Sequence, residues 1–182
     1  MTGATPSPEG ACFVRPSKDE AFMQIAQAVS LRSTCLRRRY GAVIVSHDGR
    51  LVSTGYNGAP RHRLNCSELG VCRREQLHIK PGTHYELCRA VHAEANAIIN
   101  GNPLDIAGGT LYLAGTEAKT CAPTEHISPC AMCQRLILNA QLKRVVMRRS
   151  NGELIAIDPT CWADDTPPAG GSAGEPDEEQ KL

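Results

Sequence analysis

His92-Ala93-Glu94 and Pro129-Cys130-Ala131-Met132-Cys133 are the two stretches from which the rest of this chain can be read. The first offers an imidazole and, two residues on, a carboxylate. The second offers two thiols three positions apart. Three protein ligands, His92, Cys130 and Cys133, leave a zinc ion its fourth position for water, as a catalytic site requires; a fourth ligand would close it. Zinc lowers the pKa of such a water to roughly 7. Glu94 stands next to a ligand without having to be one, which suits a group that carries protons.

Local propensity supports this reading. Glu94, Ala95, Ala97, Ile98 and Ile99 favour a helix that Gly101 can end. Cys130 to Asn139 also reads as a helix, with Pro129 ahead of it and Leu136, Ile137 and Ala140 as its apolar face. Residues three apart share a helix face, so Cys130 and Cys133 point the same way. The site is expected between two helix N-termini, whose partial positive charge favours thiolate. The competing reading is a structural CxxC zinc site with His92 in the core. Such a site has no use for a carboxylate at position 94.

The chain around these motifs has 182 residues, 41% of them apolar, and a formal net charge of +1. That length suits one domain with a core. The near-neutral charge speaks against a strong non-specific nucleic-acid binder. No apolar run is long enough to span a bilayer, and the N-terminus lacks the apolar stretch of a signal peptide, so a cytoplasmic protein without membrane contact is expected. Nine cysteines, an odd number with two in a ligand motif, argue for metal over disulfides.

Residues 1–16 are rich in Pro, Gly, Ser and Thr and are expected to lack fixed structure. Ser17-Lys18-Asp19-Glu20 is a capping box, and Phe22, Ile25, Ala26 and Val29 predict a helix running to about Ser33. A linker with Arg37-Arg38-Arg39 leads to a strand from Gly41 to Ser46. The arginines read as a solvated charge run in preference to a phosphate contact. Asp48-Gly49 predicts a hairpin into a strand from Leu51 to Tyr56, and Asn57-Gly58 by itself reads as a turn.

Residues 62–91 lack regular periodicity but contain Cys66, Cys72, His78, His84 and Cys88. A loop this long inside a compact domain calls for a function or a metal clip. One reading is a second, closed zinc site built from Cys35, Cys66 and Cys88, with His84 as a fourth candidate. The other is reduced cysteines packed as small hydrophobes. Further on come a strand at Thr110–Ala114, a loop from Gly115 to Ser128 that includes His126, and strands at Arg144–Met147 and Leu154–Ile157 joined at Asn151-Gly152. From Ala163 the chain is Pro-, Gly- and acid-rich, so a zinc-dependent domain is expected within 17–162 and a disordered tail over 163–182. The order of elements predicts an α/β domain, a mixed sheet of about five strands with helices packed on it.

The pattern H-x-E followed by P-C-x-x-C is the signature of zinc-dependent base deaminases. Together with Leu31-Arg32-Ser33-Thr34-Cys35, Gly41-Ala42-Val43-Ile44-Val45 and the run from Thr54 to Arg61 (TGYNGAPR), it makes residues 18–148 resemble the deoxycytidylate deaminase family. The resemblance implies a cytidine-deaminase-like three-layer α/β/α fold. It implies hydrolysis of dCMP to dUMP and ammonia, supplying dUMP for thymidylate synthesis. His92, Cys130 and Cys133 would hold zinc and Glu94 would shuttle protons. Asn57 would hydrogen-bond the sugar, and the Ala93 N–H and Ser128 carbonyl would bracket the base. The family also implies a homo-oligomer, often a hexamer, dCTP and dTTP as effectors, and in many members a second zinc near Cys35, Cys66 and Cys88. Arg61 and Arg89 are phosphate candidates by charge and position. The loop from Gly115 to Ser128 is longer than the family's usual link.

Two other readings compete. A deaminase of a base in tRNA or single-stranded nucleic acid needs a basic groove and stacking aromatics. This nearly neutral chain, with two Phe, one Trp and four Tyr, offers few of either. A non-catalytic zinc-binding module leaves Glu94 without a purpose.

Overall fold

Ser17 opens the first helix, α1 (Lys18–Ser30), by accepting a hydrogen bond from the Glu20 backbone N–H at 3.1 Å. In the computed structural model, which describes residues 14–80, 82–125 and 127–162, α1 ends three residues before the expected Ser33. The reason is tertiary: the Ser33 hydroxyl donates to the Asn57 side chain at 2.6 Å and the Thr34 N–H donates to the Asn57 carbonyl, so the chain leaves the helix to meet Asn57. The segments expected to lack structure, 1–16 and 163–182, lie outside the described residues except for 14–16, which precede α1 without regular structure.

Strand β1 (Arg38–Val45) starts three residues earlier than expected and draws Arg38 and Arg39 out of the linker into the sheet. It pairs antiparallel with β2 (Leu51–Tyr56) across the Asp48-Gly49 turn. After β2 come two short helices, α2 (Cys66–Leu69) and α3 (Arg73–Gln76), and a 3-10 turn at Tyr85–Leu87. The chain then forms α4 (Ala93–Asn100), α5 (Pro103–Ile106) and β3 (Thr110–Glu117). β3 outruns the predicted Ala114 because its last residues pair with the early start of β1, Arg38 opposite Glu117. Helix α6 (Ala131–Asn139), β4 (Arg144–Arg148), β5 (Leu154–Ile157) and a closing 3-10 turn (Pro159–Trp162) complete the described chain.

The sheet has five strands in the order β2-β1-β3-β4-β5, with β3 and β4 parallel and every other pair antiparallel. The parallel pair requires a crossover, and that crossover carries α6. Side-chain alternation gives the sheet two apolar faces. Val43, Val45, Tyr112 and Val146 meet Met23 and Ala26 of α1. Ala42, Ile44, Leu111 and Val145 meet Ala93 and Ala97 of α4 and Ile137 of α6 on the other face. The fold is therefore a three-layer α/β/α arrangement on a mixed sheet, as the sequence predicts.

Both helix layers approach the sheet through glycine. A methyl group on Gly41 would overlap the α1 backbone at Ala26 and Ser30, and one on Gly55 would overlap the α4 backbone at Ala93 and Ala97. The second contact sets the depth of α4, the helix that carries His92 and Glu94 at its start.

Candidate active site

His92 is the N-cap of α4 and Cys130 the N-cap of α6, each in extended backbone conformation. Cys133 lies in the first turn of α6 and Glu94 in the first turn of α4. The two helices therefore present their N-terminal ends, and the side chains at them, to one point. Two contacts fix that end of α4. Gly58 and Val91 exchange backbone hydrogen bonds, Val91 N–H to Gly58 at 2.8 Å and Gly58 N–H to Val91 at 3.2 Å. Asn96, in the first half of α4, donates to the Tyr56 carbonyl at 2.8 Å, while Asn100 ties the far end of the helix to the Thr54 carbonyl at 3.0 Å. The TGYNG run thus carries much of the work of aiming His92.

His92 Nδ1 lies 3.4 Å from the sulfurs of both Cys130 and Cys133, and one ligand atom from each of the three residues falls within 4.8 Å of the others. Among the described residues this is the one group of three or more His, Cys, Asp or Glu side chains drawn together so tightly. Hydrogen bonds from Cys133 and, after the opposing effect of burial, from His92 hold the Cys130 thiol down to about 4. Cys133 is pushed up, above all by sharing its proton with Cys130. Burial works against a protonated His92 ring, but hydrogen bonds to Cys130 and Cys88 outweigh it and raise it to about 10. Two sulfurs and an imidazole nitrogen converging at these distances are a donor set for zinc, and an open cleft on the remaining side leaves room for water and substrate. The residues present fit the metal.

Glu94 is 5% exposed, beside Cys133 and the His92 ring. Burial raises its carboxyl above the ordinary range. A carboxyl group shifted toward neutrality holds and releases protons more readily near pH 7. Ala93, Ser128 and Asn57 line the same cleft as Glu94, His92 and Cys130. Asn57 is buried and heavily engaged: its side-chain oxygen accepts from the Tyr40 N–H at 2.8 Å and from Ser33, and its amide nitrogen donates to the Arg38 carbonyl at 2.9 Å. An amide has two acceptor sites and two N–H groups, so one N–H of Asn57 remains.

Other candidates from the sequence sit elsewhere. Arg61 donates to Asn100 at 3.0 Å and Arg89 to the Leu64 carbonyl at 2.6 Å, and neither lines the cleft. His84 is 65% exposed at its side chain and lies 3.0 Å from Glu86. Cys35, Cys66 and Cys88 do not join a tight ligand group with it among the described residues. Burial pushes the Cys66 thiol up, and Cys35, Cys72 and Cys88 add to this as neighbours. His126 lies outside the described residues.

Sequence reasoning missed Tyr85, whose ring meets His92 edge-on with centroids 5.4 Å apart, and Arg74, 5% exposed, whose guanidinium lies 4.7 Å from the Tyr85 ring centre. Neither belongs to a periodic pattern.

Residues 16–149 match the cytidine and deoxycytidylate deaminase zinc-binding region, so the chain belongs to that family. It is similar to a deoxycytidylate deaminase of Mycobacterium phage D29, 39% identical over 137 residues, covering 72% of this chain and 94% of the phage protein. It is similar to the human deoxycytidylate deaminase at 33% identity, covering 70% of this chain and 62% of the human one. The match to the Schizosaccharomyces pombe enzyme, also 33% identical, spans 75% of this chain but 38% of that longer protein. Among solved structures, the dCMP deaminase of cyanophage S-TIM5 is similar in its complex with dCMP and dUMP, with a TM-score of 0.50, 25% identity and coverage of 75% of this chain and 85% of that one.

Proposed function

We infer that this chain is a zinc-dependent deaminase that hydrolyses dCMP to dUMP and ammonia. The observation that carries the reading is the meeting of His92, Cys130 and Cys133 with the buried carboxyl of Glu94 at one end of an open cleft. The choice of dCMP is supported by the deoxycytidylate deaminases this chain is similar to, above all the phage protein it matches over nearly its whole length.

His92, Cys130 and Cys133 would hold the zinc. Bound zinc supplies an activated water at neutral pH. With the metal bound, Glu94 would take a proton at its carboxylate oxygen and pass it to the ring nitrogen of the base. It then delivers a proton to the leaving amino group, so that water and dCMP become dUMP and ammonia. The Ala93 backbone N–H donates to the base carbonyl and the Ser128 carbonyl accepts from the amino group. The remaining Asn57 N–H reaches the sugar. Burial of Glu94 excludes bulk water from the proton path.

A second zinc near Cys35, Cys66 and Cys88 belongs to the same reading. It is supported by the family resemblance; among the described residues these cysteines do not converge as tightly as His92, Cys130 and Cys133. Metal analysis of the purified protein is expected to return two zinc ions per chain; a single ion would remove the second site. A homo-oligomer, dCTP and dTTP as effectors, and dUMP supply to thymidylate synthesis follow from the family resemblance, and a cytoplasmic location is the expectation drawn from the sequence. Among the described residues no helix is long and apolar enough to cross a membrane.

The direct test is ammonia release from dCMP, CMP, deoxycytidine, dCTP and a tRNA pool, with and without a zinc chelator. Chelator-sensitive release, fastest from dCMP, is expected. Release from tRNA alone would move the chain to the nucleic-acid deaminases. Zinc bound without release from any substrate, with dCTP added, would make it a binding module.

A further inference from the structure

A metal-binding imidazole must be held in rotation as well as in place. The N-cap position fixes the His92 backbone at the start of α4. The second side-chain torsion of a histidine is broad, however, and a turned ring would carry Nδ1 away from the Cys130 and Cys133 sulfurs. Ligating histidines are usually held by a carboxylate, a backbone carbonyl or a water on the other ring nitrogen. The His92 ring has the Cys88 thiol beside it, a weak partner. Among the described residues no carboxylate or backbone carbonyl is hydrogen-bonded to it.

What meets the ring instead is an aromatic stack. The Tyr85 ring stands at 89° to that of His92 with centroids 5.4 Å apart, a favourable edge-on geometry. The Arg74 guanidinium covers the Tyr85 ring, 4.7 Å from its centre. Arg74 lies in the single-turn helix α3 and donates to the His84 carbonyl at 2.8 Å and the Lys80 carbonyl at 3.2 Å. His84 is in the left-handed region, φ 47° and ψ 48°, which is uncommon for a residue with a side chain. Tyr85 follows it directly, so one arginine holds both the bend and the ring that the bend delivers.

The charge of Arg74 needs a reason. The side chain is 5% exposed and its hydrogen bonds go to neutral carbonyls. A cation buried without an anion is costly, and an apolar side chain would fill the same space without that cost. What the cation adds is its attraction to the face of Tyr85, which is strongest where water is excluded.

We propose that Arg74 and Tyr85 are positioning residues for the metal centre: Arg74 fixes Tyr85, and Tyr85 fixes the rotation of the His92 ring that aims Nδ1 at the metal. The inference rests on the reading of His92, Cys130 and Cys133 as the zinc site. It gives the irregular 62–91 segment a task at that site.

The test is the zinc affinity of the substrate-free, full-length protein against a chromophoric chelator, with the visible spectrum of the protein loaded with cobalt(II) in place of zinc. His92→Ala identifies which binding step belongs to this site. Loss of a group that orients a metal ligand predicts that Tyr85→Ala weakens this step by about 10–100-fold and alters the cobalt spectrum. Tyr85→Phe keeps the ring and restores both. Arg74→Met removes the charge and weakens the step by less; combined with Tyr85→Ala it adds no further loss, because Arg74 acts through Tyr85. Wild-type affinity and spectrum in Tyr85→Ala, even with a lowered urea midpoint, would make the stack a packing feature and overturn the proposal. Additive losses in the double variant would overturn the route through Tyr85. If Tyr85→Ala does not fold, Tyr85→Leu, which keeps apolar bulk without an aromatic edge, takes its place. If Arg74→Met does not fold, the comparison of the Tyr85 variants decides. Zinc binding that His92→Ala leaves untouched would defeat the zinc site itself, an outcome separate from failure of the stack.

Discussion

Asn57 does more than its place in a turn-like Asn-Gly pair suggests. Its side chain ties the end of α1 through Ser33 to the start of β1 through Arg38 and Tyr40, while lining the cleft beside His92. Asn57→Ala leaves the Tyr40 N–H, the Arg38 carbonyl and the Ser33 hydroxyl without their partner. Each buried group so stranded costs about 1–3 kcal/mol. The unfolding midpoint in urea is therefore expected to fall sharply, and dCMP turnover with it. A variant of unchanged stability that only binds substrate less well would leave Asn57 a sugar contact and nothing more. Residue type and spacing in the sequence made His92, Cys130, Cys133 and Glu94 legible, because metal chemistry restricts both. Arg74 and Tyr85 stayed hidden because burial and stacking, not a motif, bring them to the site.

The elements were legible where local patterning and tertiary packing agree. β2 and β5 fall on the predicted residues, and α6 begins one residue after Cys130 because that cysteine is its cap. The misses are tertiary. β1 and β3 each extend three residues beyond the apolar run because they pair with one another, polar side chains included. α1 stops early to reach Asn57. The depth of α4 depends on Gly55, which no helix pattern reveals. Gly55→Ala drives a methyl group into the α4 backbone and is expected to destabilise the fold by about 1–3 kcal/mol. Because the strain falls on the helix that carries His92 and Glu94, zinc affinity measured against a competing chelator is expected to weaken in the same variant. Full zinc affinity in a destabilised Gly55→Ala protein would separate helix depth from metal geometry.

Across the molecule, the three layers divide the labour. α1 covers one face of the sheet through an apolar cluster and an ion pair between Asp19 and Arg144 at 2.6 Å, well away from the cleft. The opposite layer, α4 and α6, presents both helix N-termini to the site, and the segment between β2 and α4 supplies the wall that holds Arg74. The order of helices and strands announced the mixed sheet with helices packed on it, and the family resemblance implied its three layers. The 62–91 segment did not announce its course, because short helices held by caps and carbonyl contacts leave no period to read. The account turns on Glu94 acting on protons and not on the metal, and one paired measurement examines that: zinc content and dCMP turnover in Glu94→Gln beside the wild type. The expected result is full zinc with turnover reduced by at least about 100-fold, the lower end of what a positioned acid–base group contributes. Zinc lost together with activity would make Glu94 part of the metal site, and activity retained with zinc bound would remove it from the reaction; either would contradict the mechanism drawn from this cleft.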